Sequence, residues 1–249
     1  MIWRLHRHRQ IDFDLRVQII GVLNVTPDSF YDGGRYVDSQ QAADHALQLT
    51  DEGADIIDIG GESSRPPIYG EVAPVAIDEE CRRVVPVVKA IRRQSEIPIS
   101  IDTVKPEVAR QALAAGADII NDISAFEEAS GGMADVAAQT QAPVILMHRR
   151  GTAATMQQDT QYDDLVGEVA RYLQARVEVA REAGIDADRI AVDPGVGFGK
   201  SIDGNRELIR CAAQFSVSGC PVVIGASRKS FIWKPMGVDP DQALEGSLA

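Results

Sequence analysis

The stretch Arg189-Ile190-Ala191-Val192-Asp193-Pro194-Gly195-Val196-Gly197-Phe198-Gly199-Lys200 decides the fold that we expect for this chain. Its first four residues are mostly apolar and predict a short buried strand. The strand ends on the carboxylate of Asp193, and a turn rich in proline and glycine follows. A carboxylate at the carboxyl end of a parallel strand points to where α/β proteins bind ligands. Asp193 would then accept two parallel hydrogen bonds from an aminopyrimidine-like edge; the alternative is a tight turn with a helix-capping aspartate.

Length and composition favour one α/β domain. The chain has 249 residues, 45% of them hydrophobic, which suits the core of a (β/α)8 barrel. Its formal net charge of −12 disfavours nucleic acid and anionic membranes as partners. The sequence contains no apolar run long enough to span a bilayer and no signal-peptide core at its start. Three cysteines without metal-type spacing are typical of reduced thiols, so we expect a cytoplasmic protein.

Strand and helix signals alternate along the chain and predict an α/β fold of the (β/α)8 TIM-barrel type. Residues 1–16 alternate apolar and polar side chains and predict an N-terminal hairpin that closes one end of the barrel. Helical segments separate the strands that follow, so all of these strands can be parallel. We expect a single domain over residues 1–249. The predicted strands are 18–25, 54–61, 98–102, 117–123, 143–148, 189–193 and 221–225.

The eighth βα unit of such a barrel is missing from the sequence. Residues 245–249 resemble the start of a helix, and no further strand follows them. A barrel of seven strands cannot close its hydrogen-bond ladder, and its two edge strands stay unpaired. We therefore expect the natural protein to continue past Ala249 with a strand and a helix, or another chain to donate the strand.

Polar side chains occur at the carboxyl ends of the predicted strands. In a barrel these ends converge on one face, where active sites lie. A binding site explains this convergence better than a set of unrelated turns. Two loops, at about 26–36 and 62–72, are long, polar and rich in Gly or Pro, and they predict mobile lids. The polar strand ends are Asn24, Ser64 with Arg65, Asp102, Asn121, His148, Asp193, and Ser227 with Lys229.

These motifs together resemble the dihydropteroate synthase family of pterin-binding barrels. Each motif is weak alone, but their order along the chain makes the resemblance specific. The matching segments are 21–30, 60–66, 100–103, 121–123, 147–148, 193–200 and 227–232.

The resemblance implies a transferase of folate biosynthesis. The family joins 6-hydroxymethyl-7,8-dihydropterin diphosphate to 4-aminobenzoate and releases diphosphate, with Mg²⁺ as cofactor. Sulfonamides target this family, and its members often pair, so a homodimer is expected. An arylamine is neutral at pH 7, so departure of the charged diphosphate is the step that cations must assist.

Matching positions imply a role for each residue. Asn24 is expected to hold the metal and the diphosphate, and Asp193 the amino-pyrimidine edge of the pterin. Asp102, Lys229 and Arg65 are expected to act in catalysis. Lys229 and Arg228 are expected in the first turn of a helix, as anion ligands that oppose its dipole. The other expected substrate contacts are Asp102, Asn121 and Met147 at the pterin, Lys229 at both the pterin and the benzoate, Ser64 and Arg65 near the diphosphate and the benzoate, and Phe30, Pro66, Phe198 and Ser227 at the benzoate.

The sequence also departs from the family pattern. Ser64 replaces the usual Thr, Pro67 a common Gly, and Arg149 a usual Met, and the Arg-x-His diphosphate pair of the eighth strand is absent. Two alternatives therefore remain. One is a methyltetrahydrofolate-type methyltransferase barrel, which the basic and hydroxyl-bearing loops disfavour. The other is a non-catalytic pterin-binding homologue, which the missing Arg-x-His pair favours.

Overall fold

A computed structural model gives the architecture of most of the chain. Only the backbone is described at residues 35–38 and 241. The described residues are 1–5, 9–26, 35–63, 74–128, 131–151, 155–156 and 158–248.

The chain begins with the hairpin that the alternating pattern predicts. Strand β1 (Ile2–Arg4) pairs antiparallel with β2 (Gln10–Asp12). Trp3 is 1% exposed and lies in one apolar cluster with Ile56 and Ile145 of the main sheet. The hairpin therefore covers the end of the sheet at which the parallel strands begin.

Six parallel strands form the main sheet, in the order of the sequence. Helices cover its outer face, in the alternation expected of a (β/α)8 barrel. The strands are β3 (Ile20–Asn24), β4 (Ile56–Gly60), β5 (Ile99–Asp102), β6 (Ile119–Asp122), β7 (Val144–Met147) and β8 (Ile190–Asp193). The helices are α1 (Arg35–Asp51), α2 (Ile77–Arg92), α3 (Pro106–Ala115), α4 (Met133–Thr140), α5 (Leu165–Glu182), α6 (Ile202–Arg210), α7 (Ser230–Met236) and α8 (Leu244–Leu248).

Local sequence signals explain several of these boundaries. Helix α3 begins at Pro106, which needs no N–H in the first turn, and ends at Gly116 with φ of 118°. Helix α1 begins at Arg35 and ends at Asp51. None of the described helices has the length and apolar character that crossing a bilayer requires.

The predicted strand at 221–225 is wrong in length. The structure has a single parallel bridge there, between Val192 of β8 and Val222. The N–H of Val192 donates to Pro221 O at 3.0 Å, and the N–H of Val223 donates to Val192 O at 2.8 Å. Pro221 has no N–H and Gly225 has no side chain to pack, so the segment offers little to extend the ladder.

Alternation along the strands separates an outer apolar face from an inner face of mixed character. Ile57 and Ile59 point outward and pack with the residues of α1 and α2. Ile56 points inward, into the apolar cluster that the hairpin covers. The next inward positions along β4 are Asp58 and Gly60, because the side-chain period of a strand is two. The barrel interior is thus apolar near the hairpin and polar at the opposite end.

A buried ion cluster fixes the hairpin to the sheet. Asp118, just before β6, accepts hydrogen bonds from Arg9, Arg92 and the N–H of Ile99. The Arg9 Nη1 to Asp118 Oδ2 distance is 3.0 Å, and the Asp118 side chain is fully buried. The carboxylate thereby joins the hairpin, at the residue before β2, to the end of α2 and the start of β5.

Candidate active site

Strand register brings the predicted polar strand ends into one row. Asn24 lies opposite Gly60, Gly60 opposite Asp102, and Asp102 opposite Asn121. Met147 lies opposite Asp193 on the other side of the barrel mouth. We call the inward-facing set Asn24, Asp102, Asn121, Met147 and Asp193 the upper rim. The role of each rim residue in binding stays a prediction.

Gly60 keeps a space open within the upper rim. A Cβ at this position would lie 3.6 Å from Asp102 Oδ2 and 3.8 Å from Asn24 Oδ1. These two oxygens therefore flank the same point above the sheet. Any larger side chain at residue 60 would enter the space between them.

Asp102 is a carboxylate with little local compensation. Within the described part of the chain it accepts no hydrogen bond. Burial raises the pKa of Asp102 well above its usual value, and the carboxylates of Asp58 and Glu80 raise it further. Its electrostatic surroundings therefore favour the approach of a positive charge.

Asp193 combines a turn contact with a place on the rim. Its Oδ1 accepts the N–H of Gly195 at 2.7 Å, so the turn contact weighed from the sequence is present, but Ser201 and not Asp193 caps the next helix. Burial raises the pKa of Asp193, whereas the nearby Lys229 ammonium lowers it. Each carboxylate oxygen has two lone-pair directions, so this turn contact still leaves acceptor capacity.

Glycine is required at the centre of the turn after Asp193. Gly195 has φ of 71°, and a Cβ there would lie 1.8 Å from His148 O. The backbone of the turn and that of residue 148 therefore approach more closely than any side chain would allow.

A buried lysine supports this turn from below. Lys200 is 3% exposed, and its Nζ lies 2.8 Å from His148 Nδ1, 3.1 Å from His148 O and 2.8 Å from Gly195 O. Burial lowers the pKa of His148 to about 2, and the Lys200 charge also lowers it. The imidazole is therefore neutral and accepts at Nδ1. His148 was expected among the site residues, but it is buried as the partner of Lys200.

A second lysine lies on the other side of the turn. Lys229 Nζ donates to Val196 O and lies 4.7 Å from the centroid of the Phe198 ring. Burial lowers the pKa of Lys229, and the carboxylates of Asp193 and Asp102 oppose that shift. Lys229 therefore brings a positive charge to the mouth of the barrel, beside two carboxylates of the upper rim.

The expected placement of Arg228 and Lys229 inside the first turn of a helix is wrong. Helix α7 begins at Ser230, and Lys229 is its N-cap residue. The N–H of Lys229 donates to Ala226 O at 3.2 Å, which closes a turn just before the helix. Arg228 has φ of 54° within that turn and is exposed, as is Ser227.

Asp58 is a buried carboxylate that the sequence analysis did not single out. It lies one inward position below Gly60 and is 6% exposed. Its Oδ2 accepts from Asn121 Nδ2 at 3.1 Å. The available signal was a carboxylate inside the apolar run of residues 56–59, two residues before an inward glycine.

Four expected site residues cannot be placed. Phe30, Ser64, Arg65 and Pro66 lie outside the described residues, as do most of the two predicted lids.

The two sides of the second lid segment are nevertheless held together. Glu62 Oε1 accepts the N–H of Val75 at 3.3 Å, and its Oε2 pairs with Lys105. Lys105 also pairs with Glu80, which is buried. This contact brings residue 62 close to residue 75.

Metal binding at the rim would have to rely on few protein ligands. Among the described residues, no group of three or more His, Cys, Asp or Glu side chains is arranged to hold a metal ion. Asn24 contributes one neutral amide oxygen beside Asp102 Oδ2, across the space above Gly60.

Comparisons with known proteins identify relatives across nearly the whole chain. A family model described as "Pterin binding enzyme" matches residues 20–249. The dihydropteroate synthase of Escherichia coli strain K12 is 45% identical over 231 residues, which cover 93% of this chain and 80% of that protein. A Xanthomonas albilineans dihydropteroate synthase structure with 4-aminobenzoic acid matches with a TM-score of 0.87 and 43% identity, covering 97% and 84% of the two chains. A Yersinia pestis dihydropteroate synthase in a sulfonamide drug complex matches with a TM-score of 0.89 and 39% identity, covering 99% and 86%.

Proposed function

The chain belongs to the pterin binding enzymes, as a dihydropteroate synthase, and we propose that its upper rim and Lys229 carry out the reaction. The enzyme is a transferase that condenses 6-hydroxymethyl-7,8-dihydropterin diphosphate with 4-aminobenzoate to give 7,8-dihydropteroate and diphosphate. One observation carries the assignment of residues: strand register places Asp102, Asn121 and Asp193 at one end of the barrel, with Lys229 beside them.

The pterin lies against the inner face of the rim. Asp193 accepts two N–H bonds from its amino-pyrimidine edge, as a carboxylate on a rigid strand end can do. Met147, opposite Asp193 in the register and 3% exposed, forms the apolar wall beneath the ring. The left-handed turn at Gly195 and Gly197 keeps the neighbouring backbone low, which gives a flat ring room to approach.

The reaction breaks the bond between the pterin methylene carbon and the diphosphate oxygen. The lone pair of the 4-aminobenzoate nitrogen forms the new carbon–nitrogen bond, and the nitrogen then loses a proton. Asp102 favours the positive charge that builds on the pterin as the diphosphate leaves. Lys229 reaches both the pterin and the benzoate region from its place beside Asp102 and Asp193.

The benzoate lies beside Phe198, whose ring already contacts the Lys229 ammonium. We propose that Phe30, Pro66 and Ser227 complete this wall, that Ser64 and Arg65 reach the diphosphate and the benzoate, and that Arg228 attracts anions from the exposed turn.

Asn24 is the proposed protein ligand for Mg²⁺. A neutral amide oxygen beside a carboxylate fits this ion, which usually keeps several waters and takes other ligands from substrate phosphates. The space above Gly60 leaves room for such a group. When bound, Mg²⁺ would neutralise negative charge on the diphosphate.

We also propose that the protein acts in the cytoplasm as a homodimer. Cys81, Cys211 and Cys220 are free thiols, which suits a reducing compartment. Sedimentation of the purified chain tests the oligomeric state, and a monomer at all concentrations would contradict this part.

Product formation distinguishes the three candidate functions. Purified protein is given the dihydropterin diphosphate with Mg²⁺, with and without 4-aminobenzoate, while diphosphate and dihydropteroate are measured. We expect both products with both substrates, and neither product when 4-aminobenzoate is omitted. Tight pterin binding without turnover would support the non-catalytic homologue. Methyl transfer from methyltetrahydrofolate would support the methyltransferase.

A further inference from the structure

We propose that Asp58 is a positioning residue that fixes which end of the Asn121 amide faces the substrate. The inference rests on the proposed function, because Asn121 is assigned there to the pterin. It concerns a residue that does not itself reach the mouth of the barrel.

The contact between the two side chains crosses a strand. Asp58 is on β4 and Asn121 on β6, with β5 between them. Asp58 lies opposite Ser100 in the register, whereas Asn121 lies opposite Asp102, one inward layer nearer the mouth. The Asn121 amide therefore reaches back across β5 and down one layer to meet Asp58 Oδ2 at 3.1 Å.

Stability alone does not account for a carboxylate at this position. Asp58 Oδ1 and Ser100 Oγ are buried, and neither makes a hydrogen bond of normal geometry among the described residues. The Ser100 hydroxyl, opposite Asp58 in the register, lowers the pKa of Asp58, but burial has the larger effect and raises it. A buried polar atom without a partner destabilises the fold. An apolar residue at position 58 would avoid that cost. The carboxylate is therefore explained by what it does to Asn121.

The contact with Asp58 determines which atom of the Asn121 amide faces the ligand. With Nδ2 donated inward to Asp58, the Oδ1 of Asn121 is the atom left to meet a ligand. The reversed amide would place two oxygens against each other, which is repulsive unless Asp58 carries a proton. Burial raises the pKa of Asp58, whereas the amide hydrogen bond from Asn121 lowers it and favours the ionised form. Asp102 and Asp193 are acceptors as well. The rim then presents acceptors on three strands, which suits a pterin whose amino group and ring N–H groups are donors.

Exchanging the two residues tests both the pairing and the direction of the amide. In the Asp58→Asn/Asn121→Asp double variant, residue 58 becomes the donor and residue 121 still turns an oxygen towards the ligand. In Asn121→Asp alone, two buried carboxyl groups face each other and one must take up a proton or move. The probe is pteroic acid, and its Kd is measured by titration calorimetry on variants whose circular dichroism matches the wild type.

We expect Asn121→Asp to weaken pteroic acid binding by about tenfold or more. We expect the exchange to restore the Kd to within about threefold of wild type, since one interior hydrogen bond and one outward acceptor are again present. Ser100→Ala, the control on the same inner face, should leave the Kd within about twofold, since it removes a neighbour of Asp58 but not the Asn121 contact to Asp58 Oδ2.

A double variant that binds no better than Asn121→Asp would overturn the proposal, because it would mean that the outward atom of Asn121 is a donor or that the pair does not matter. If Asn121→Asp fails to fold, the double variant still tests the proposal. A Kd near that of the wild type supports an oxygen of residue 121 facing the ligand, and loss of binding contradicts it. Failure of the wild type to bind pteroic acid would instead count against the proposed function.

Discussion

Asp118 and Asp102 lie at opposite ends of the same sheet, and their surroundings differ in almost every respect. Asp118 accepts from Arg9, Arg92 and a backbone N–H, so its buried charge is matched by two guanidinium groups. Asp102 accepts no hydrogen bond from the described residues, and burial together with neighbouring carboxylates raises its pKa well above the usual value.

The difference supports the proposal that the hairpin end of the barrel serves the fold and that the mouth serves a ligand. A buried carboxylate with full compensation holds three chain segments together at the hairpin end. At the mouth, the Asp102 carboxylate lacks hydrogen-bond donors among the described residues, which is unfavourable for folding. The same carboxylate is already in position to meet a positive charge or an N–H donor of a substrate. Mutations at the two ends should therefore have opposite effects on stability and on activity.

Asp118→Asn should destabilise the protein by about 3–5 kcal/mol, because two guanidinium groups would lose their buried counter-charge. Urea unfolding measures this change. Glu178→Gln is the control, since its ion pair with Arg181 is about half exposed on both sides and should contribute no more than about 0.5 kcal/mol. A loss at Asp118 no larger than that of the control would remove the distinction between the two ends.

Asp102→Asn should show the reverse signature. We expect kcat to fall by about 100-fold, as for loss of one preorganised electrostatic group. The free energy of unfolding should stay the same or rise, because a poorly compensated charge is removed. Steady-state rates and urea unfolding on the same preparation measure both quantities. A variant that loses stability while retaining activity would contradict the assignment of Asp102.

Lys200→Met tests whether a lysine that does not contact the substrate still affects binding, by holding the turn that carries Asp193. Loss of the ammonium leaves His148 Nδ1 and His148 O without this donor, at a cost of about 1–3 kcal/mol, whereas Gly195 O keeps the N–H of Phe198. Pteroic acid affinity should fall together with stability, since the turn that carries Asp193 loosens. Lys234→Met, on the exposed side of α7, is the matched control. Unchanged affinity in Lys200→Met would show that the turn holds its shape without the lysine.

The smallest expected effect is on the pH dependence of stability. The folded-state pKa of Asp102 is raised, so its contribution is most favourable below the ordinary value and is lost as the pH rises through the folded pKa. From about pH 4 upward, the unfolding free energy of the wild type should therefore fall relative to that of Asp102→Asn. Urea unfolding at several pH values measures the difference, and parallel curves for the two proteins would argue that Asp102 is not perturbed.

The fold was predictable because its signals are local and repeated. Apolar runs, Pro106 at a helix start and Gly116 at a helix end each act within a few residues, and the parallel order follows from the alternation of strands and helices. The segment at 221–225 misled the prediction, because an apolar run cannot reveal how many of its backbone groups find partners.

The site was predictable only where chemistry coincides with a strand end. Asp102 and Asp193 met that condition, whereas Asp58 lies inside a strand and Lys200 beyond the turn. The roles of Asp58 and Lys200 follow from contacts with residues distant in sequence. Asp58 contacts Asn121, and Lys200 contacts His148. Single-sequence patterns carry no record of such contacts.

Asp193→Asn tests most directly the claim that the carboxylates of the mouth serve the ligand. The amide oxygen can keep the bond to the N–H of Gly195, so the turn and the stability should be preserved. The amide nitrogen would then face the donors of the pterin. We predict that the calorimetric Kd for pteroic acid rises by at least about tenfold, the equivalent of losing one charge-assisted hydrogen bond, with no loss of unfolding free energy. An unchanged Kd would contradict the account.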